Sequence, residues 1–191
     1  MKTPVVVLNL KTYPEATGPG AVALAEAAKT MAEKCRRHVI VCPQAPGLRF
    51  LSLKFVPSSF FHIFAQHVDA VPPGAHTGSV SCEAILASGA HGSLLNHAEK
   101  KMGLETVEKT ILRAREVGLE LIVCADSVAE AIKIAAFHPP CIAVEPPELI
   151  GKGVSVSTAN PKIVTESVAA IRRVDKDIVV LVGASVSTAQ D

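Results

Sequence analysis

Cys141-Ile142-Ala143-Val144-Glu145-Pro146-Pro147 runs from four apolar residues straight into a carboxylate and a double proline. An unbroken apolar tetrad is too short for a helix. It reads as a strand covered on both faces, as in a parallel sheet. A glutamate is rarely placed at the end of a buried strand without a partner or a task. Pro146-Pro147 blocks an immediate helix and imposes a turn. Two other stretches repeat the pattern. Val5 to Leu8 leads into Asn9-Leu10-Lys11, and Ser93-Leu94-Leu95 leads into Asn96-His97-Ala98-Glu99. A lysine, a histidine and a carboxylate at the carboxyl ends of three strands are what a βα-barrel enzyme needs at its active face.

Outward from these stretches, short apolar runs alternate with helical patterns. Strands are predicted at Pro4–Leu10, Val39–Cys42, His62–Ala65, Gly92–Leu95, Leu119–Cys124, Cys141–Val144 and Ile178–Val182. Helices are predicted at Gly20–Lys34, Cys82–Ala87, Leu104–Val117, Val128–Phe137 and Pro161–Val174, with a weaker helix or irregular segment at Leu48–Val56. Val107, Ile111, Leu112 and Val117 share one side of the helix at Leu104–Val117, and Asp126 or Ser127 caps the next helix. Gln66–Gly78, with two prolines and two glycines, reads as a long loop. No composition break interrupts the chain, so residues 1–191 read as a single domain.

The alternation points to an α/β barrel or a doubly wound sheet. Lys11-Thr12-Tyr13 follows the first strand where a dinucleotide-binding fold has Gly-x-Gly-x-x-Gly, which weakens the second alternative. An eight-unit barrel takes about 200–250 residues. The expectation is therefore a (β/α)8 barrel with seven βα units present and the eighth missing, leaving an open edge between strands seven and one.

Hydrophobic residues make up 49% and charged residues 19%, which excludes a disordered chain. A net charge of +1 gives no reason to expect a nucleic-acid partner. No apolar run approaches the roughly 18 residues of a membrane span, and residues 1–10 lack a signal-peptide pattern. The five cysteines are odd in number and none are paired as C-x-x-C, which argues against a zinc cluster or a disulfide framework. Cys42, Cys124 and Cys141 lie in strand-like runs and read as small buried hydrophobes, which fits a reducing cytoplasm.

Each candidate residue has an ordinary reading beside the chemical one. Glu145 is either a cap or ion-pair partner after its strand, or a general base in a dry pocket. In the second reading Pro146, Pro147, Gly151 and Gly153 belong to a hinged lid. His97 alone would be a satisfied structural histidine. With Glu99 two residues on and Asn96 before it at a strand end, it is a catalytic candidate. Lys11 alone would be a solvated lysine. Beside Asn9 it can neutralise a phosphate or a developing enolate, and Glu99 can pair with it and hold it in place. Gly183-Ala184-Ser185 lets backbone N–H groups approach an anion after the seventh strand.

Together these stretches resemble the triosephosphate isomerase family in its compact archaeal form, over essentially the whole chain. They are V-L-N-L-K-T-Y at 7–13, F-A-Q-H-V-D at 64–69, P-G-A-H-T-G at 73–78, L-L-N-H-A-E-K at 94–100, A-V-E-P-P-E-L-I-G at 143–151 and G-A-S-V-S-T at 183–188. The resemblance implies a TIM barrel that interconverts dihydroxyacetone phosphate and D-glyceraldehyde 3-phosphate through an enediolate. Glu145 would move the carbon-bound proton, and neutral His97 would polarise the carbonyl. Lys11 would hold phosphate and enediolate, Asn9 would orient substrate oxygens, and Gly151, Gly183, Ala184 and Ser185 would line the phosphate end. No cofactor or metal is implied. The loop at 66–78 would enter a neighbouring subunit, with Thr77 near the partner's site, in a dimer or tetramer.

Three positions depart from the family's pattern. Ala98 stands for Ser, Lys152 for Thr, and Ser185 for Gly. With the absent eighth unit, they keep a second reading in view, a catalytically silent barrel serving as a binding or structural module.

Overall fold

Continuous apolar runs form the strands, and the structure, a computed structural model, describes residues 2–55, 58–146 and 161–183. These belong to two compact units, Met1–Leu94 with Leu112–Glu120, and Leu95–Ile111 with Leu121–Asp191. The strands are β1 (Val5–Asn9), β2 (His38–Cys42), β3 (Phe61–Ala65), β4 (Gly92–Leu95), β5 (Glu120–Ala125), β6 (Cys141–Val144) and β7 (Val179–Val182). The helices are α1 (Pro19–Cys35), α2 (Ala45–Lys54), α3 (Cys82–Ala87), α4 (Leu104–Val117), α5 (Val128–Ala135) and α6 (Pro161–Val174).

In the first unit β1, β2, β3 and β4 pair in sequence order, all parallel. The register sets Val7 beside Ile40, Val41 beside Ile63, and Ala65 beside Ser93. Helices α1 and α2 pack on β3, and α1 also covers β2. Val41, Phe61, Ile63 and Phe64 lie in the resulting core with Ala25 and Leu51 from the helices. Full burial of an aliphatic or aromatic side chain contributes roughly 1.5–3 kcal/mol, so such residues carry most of the unit's stability. Gly92 opens β4 because nothing larger fits. A Cβ there would meet the Phe64 ring at 2.4 Å and the Glu120 carbonyl at 2.6 Å. Among the described residues β1 pairs only with β2, and Val6 and Leu8 on it are exposed.

In the second unit β5, β6 and β7 pair in parallel, with Cys124 beside Ala143 and Val144 beside Val182. Helix α5 packs on β6 and on α6, and α6 packs on β7. Ile122, Val123, Ile142 and Val144 are buried with Ala131, Ile134 and Ile171. Ser127 is the α5 cap, its side chain accepting from Glu130 N–H.

Most elements lie where the sequence predicts them, with local differences. Helix α2 is regular and starts at Ala45, because Pro46 is tolerated in a first turn. Helix α5 stops at Ala135, two residues before the predicted end. On α4 the buried side carries Val107, Thr110, Ile111 and Ala114, whereas Leu112 is exposed. Leu112 is one position round the helix from Ile111, about 100° away, and falls outside the stripe. Thr110 replaces it at little cost because its hydroxyl donates to the Thr106 carbonyl at 2.7 Å. Cys42, Cys82, Cys124 and Cys141 are buried thiols outside any disulfide, and Cys35 is exposed. Burial pushes the Cys82 thiol up to about 11, so it stays protonated and inert at neutral pH. Among the described residues no helix is long and apolar enough to cross a membrane.

The amino-terminal ends of β2, β3 and β4 carry a histidine group. The His62 and His91 rings meet edge to face with centroids 5.6 Å apart. Burial first, then the nearby His91, lowers the His62 pKa. Glu120 works the other way and His38 adds to the lowering. The fold therefore prefers neutral His62. Its stabilising contribution is complete above the ordinary histidine pKa of about 6.5 and is lost as pH falls toward the depressed folded value, because the unfolded chain then binds the extra proton. Acidification from pH 7.5 to pH 5 is expected to lower the urea midpoint of the parent more than that of His62→Leu. Equal declines in the two proteins would remove His62 as the source.

Candidate active site

The polar residues that end the apolar strands are held by local hydrogen bonds. In the second unit His97 follows β4 and Glu145 follows β6. Both side chains are shielded, that of His97 at 9% exposure and that of Glu145 at 25%. His97 caps the 3₁₀ turn Ala98–Lys100, its Nδ1 accepting the Glu99 N–H at 3.2 Å. With Nδ1 occupied as an acceptor, neutral His97 carries its proton on Nε2. That nitrogen lies 3.8 Å from Glu145 Oε2, beyond hydrogen-bond distance. The Glu99 carboxylate stands 3.8 Å from His97 Nδ1. Glu145 itself is fixed by its N–H, which donates to the Ala125 carbonyl at 2.9 Å. Pro146, next to it, is buried. Gly183 N–H donates to the Val144 carbonyl at 3.0 Å, which brings the end of β7 alongside Glu145.

The segment carrying His97 is tied down through Asn96. This residue is left-handed, with φ 59°, a conformation asparagine tolerates better than most residues. Its amide donates to the Cys124 carbonyl at 3.0 Å and to Glu130 Oε1 at 3.2 Å. Its Oδ1 accepts the Met102 N–H at 2.9 Å. Glu130 in turn accepts the Asp126 N–H at 2.7 Å and Lys101 Nζ at 2.7 and 2.8 Å. Lys101 also reaches Asp126 at 3.2 Å. Burial works to raise the Glu130 carboxyl, but the hydrogen bonds from Lys101, Asp126 and Asn96 outweigh it. They hold the group below the ordinary glutamate range, so it is charged at neutral pH.

In the first unit Asn9 ends β1, and its Oδ1 accepts the Lys11 N–H at 3.0 Å. Lys11 is left-handed, with φ 50°, which for a residue with an ordinary side chain costs on the order of 1 kcal/mol. Gln66, just past β3, bridges the Lys11 carbonyl at 3.0 Å and the Cys42 carbonyl at 2.8 Å. The loop that follows is closed at its base by Asp69, whose N–H donates to the Val80 carbonyl at 2.8 Å and whose carboxylate accepts the Val80 N–H at 2.8 Å. Thr77 lies on the exposed tip.

The second unit thus brings together Asn96, His97, Glu99, Glu145, Pro146 and Gly183. Asn9, Lys11 and Thr77 belong to the first. Pro147, Gly151, Gly153, Ala184 and Ser185 lie outside the described residues. Among the described residues no group of three or more His, Cys, Asp or Glu could hold a metal ion.

A family model described as triosephosphate isomerase matches residues 4–191. The chain belongs to the triosephosphate isomerase family. It carries that family's α/β barrel architecture through the seventh strand. Curated relatives named triosephosphate isomerase are 40% identical in Methanobrevibacter smithii and 41% identical in Methanothermus fervidus, each covering all of this chain and 84% of the relative. One in Archaeoglobus fulgidus is 40% identical over the whole chain and 83% of the relative. The archaeal resemblance read from the motifs therefore holds.

Gln66, Lys101 and Glu130 were not singled out by the motif reading. Gln66 lay inside a family stretch with no chemical hint of its own. Glu130 stands three residues after Ser127, a spacing that reads as an ordinary capping box. Only the fold shows its carboxylate reaching the Asp126 N–H and the Asn96 amide instead.

A Cβ added at Gly183 would lie 3.4 Å from Glu145 Oε1 and 3.7 Å from its Cγ. Both are ordinary van der Waals distances, so Gly183→Ala is expected to keep the parent's melting temperature within about 2 °C and its isomerase turnover within about threefold. A loss of about tenfold or more in the folded variant would show that Glu145 has no room to spare.

Proposed function

We propose that this chain interconverts dihydroxyacetone phosphate and D-glyceraldehyde 3-phosphate, with Glu145 as the base. The observation that carries the reading is the pairing of His97 Nε2 with Glu145 Oε2 at 3.8 Å, while Glu99 N–H occupies Nδ1. Glu145 takes a proton from the carbon beside the carbonyl; the C–H pair becomes a carbon–carbon double bond and the carbonyl π pair moves onto its oxygen, giving an enediolate. The same carboxyl returns the proton to the neighbouring carbon. His97, as Nε2–H donor, polarises the carbonyl and moves protons between the two oxygens. Lys11 supplies the positive charge for phosphate and enediolate, and Asn9 orients the substrate oxygens as well as holding the Lys11 N–H. Glu99 and Asn96 support His97. Gly183, Ala184 and Ser185 approach the phosphate. Residues 146–153, with Pro146, Pro147, Gly151 and Gly153, close over the substrate and exclude water.

The substrate's carbonyl serves as electron sink, so the reading includes no cofactor. The unbroken family match over residues 4–191 supports treating the chain as one domain in a soluble, cytoplasmic enzyme of glycolysis and gluconeogenesis. Self-association through residues 66–78, as a dimer or tetramer, completes the reading. It is supported by a loop anchored at Asp69 with an exposed tip at Thr77.

The test is turnover of glyceraldehyde 3-phosphate by the parent and two variants. Glu145→Asp is expected to lose about a hundredfold in kcat, because it withdraws the base by about 1 Å. A rate within a few-fold of the parent would remove Glu145 from the base role. Lys11→Ala is expected to raise the Kd for phosphoglycolate at least tenfold. Unchanged affinity would take Lys11 away from the phosphate.

A further inference from the structure

We propose that Glu130 is a positioning residue for His97, acting through the side chain of Asn96. The inference rests on the proposed role of His97 as the electrophile. It begins from a backbone problem. His97 must leave β4 at a sharp angle, and the chain achieves this with Asn96 at φ 59°. A left-handed residue persists only where its surroundings hold it. Asn96 is 1% exposed, and its amide and carbonyl have three partners at 2.9–3.2 Å: the Cys124 carbonyl, Glu130 Oε1 and the Met102 N–H. Two of these are backbone groups that stay in place whatever the side chains do. Glu130 is the one partner supplied by a side chain.

Glu130 is itself over-determined. One oxygen accepts the Asp126 N–H, so the carboxylate is tied to the start of α5, and Lys101 Nζ bridges both oxygens and Asp126 Oδ2. Lys101 and Met102 close the same turn that begins at Asn96. The turn from 96 to 102 is therefore clasped at both ends by one carboxylate, through Asn96 at its start and Lys101 near its finish. His97 sits inside that clasp, and the Glu99 N–H that fixes its tautomer belongs to the same turn. Remove the carboxylate and the Asn96 amide keeps only the Cys124 carbonyl, Lys101 loses its main partner, and the Glu99 N–H is no longer held against Nδ1. Glu130 touches no substrate in this scheme. Its effect passes through the imidazole.

The experiment uses Glu130→Ala, Glu130→Gln, Asn96→Gly and the double variant Asn96→Gly/Glu130→Ala. Glycine accepts the left-handed backbone and deletes only the amide. Each folded protein is measured for kcat and KM with glyceraldehyde 3-phosphate, and for the ¹⁵N signals of the His97 ring. Glu130→Ala is expected to lower kcat about ten- to a hundredfold with KM within about twofold, and to turn the single Nε2–H tautomer into a mixture. Glu130→Gln, which keeps one acceptor, falls between Ala and the parent. In the Asn96→Gly background the further change is expected to be clearly smaller than in the parent, because only the Lys101 end of the clasp is left to lose. Parental kcat and an unchanged ring spectrum in folded Glu130→Ala would overturn the proposal, and so would full additivity in the double variant. Should Glu130→Ala fail to fold, Glu130→Gln and Asn96→Gly carry the same comparison. Should the parent show no isomerase turnover, the functional reading fails by itself. The tautomer change on Glu130→Ala would still decide whether the clasp holds the imidazole.

Discussion

Parallel pairing is the constraint on which the rest depends. Strands covered on both faces cannot carry charged side chains along their length, because an unpaired buried charge is too costly. Val39 to Cys42, Leu121 to Ala125 and Cys141 to Val144 accordingly hold only apolar residues, and all are buried. Asp, Glu, Lys and Arg are absent from the interiors of the described strands. Parallel order then puts every carboxyl end within a unit at the same edge. Glu145 and Gly183 meet because β6 and β7 run side by side in one direction. Asn9 and Gln66 reach the same stretch of backbone around Lys11 and Cys42 because β1, β2 and β3 do likewise.

A second constraint acts where the chain leaves those ends. Lys11 and Asn96 both adopt left-handed backbone one or two residues past a strand, and each is held by side-chain bonds to backbone groups. Asn9 and Gln66 clamp Lys11 from its N–H and its carbonyl. Asn96 clamps its own turn, with Glu130 behind it. Backbone strain of about 1–3 kcal/mol per residue is stable only under such support. The strain is spent at the positions where direction matters most, since a left-handed residue turns the following side chain sharply away from the strand.

Much of this was legible in the chain. Apolar runs of four or five residues gave the strand positions to within a residue or two, and the residues ending those runs are the ones the fold places at the carboxyl edge. Two kinds of feature stayed hidden. Leu112 was assigned to the buried side of α4 because it is apolar, whereas the buried position belongs to Thr110, whose hydroxyl is satisfied inside its own helix. Hydrophobic pattern alone cannot register that a polar group is internally bonded. Glu130 stayed hidden for a related reason. Its spacing from Ser127 announces a helix start, and the contact with Asn96 links residues 34 positions apart in sequence. Local pattern reports on neighbours within a turn or two, and says nothing of a carboxylate that serves two elements at once.

The separation between His97 and Glu145 follows from the same anchoring. At 3.8 Å the imidazole and the carboxylate are too far apart to share a proton and too close for an unrelated placement. A direct hydrogen bond at about 2.8 Å would tie the Nε2 proton to the carboxylate, and neither group would then be free to act on a third molecule. A small gap avoids this. It leaves a donor at Nε2–H and an acceptor at Oε2 close to each other without a bond between them. Neither residue maintains the gap by touching the other. Glu145 is set by its N–H on β5, and His97 is set by the Glu99 N–H and by Asn96. The distance that matters chemically is thus fixed by bonds that lie outside it. For this reason a change at Glu130, which lies outside the gap, is expected to act on the same spacing as a change at His97 or Glu145 themselves.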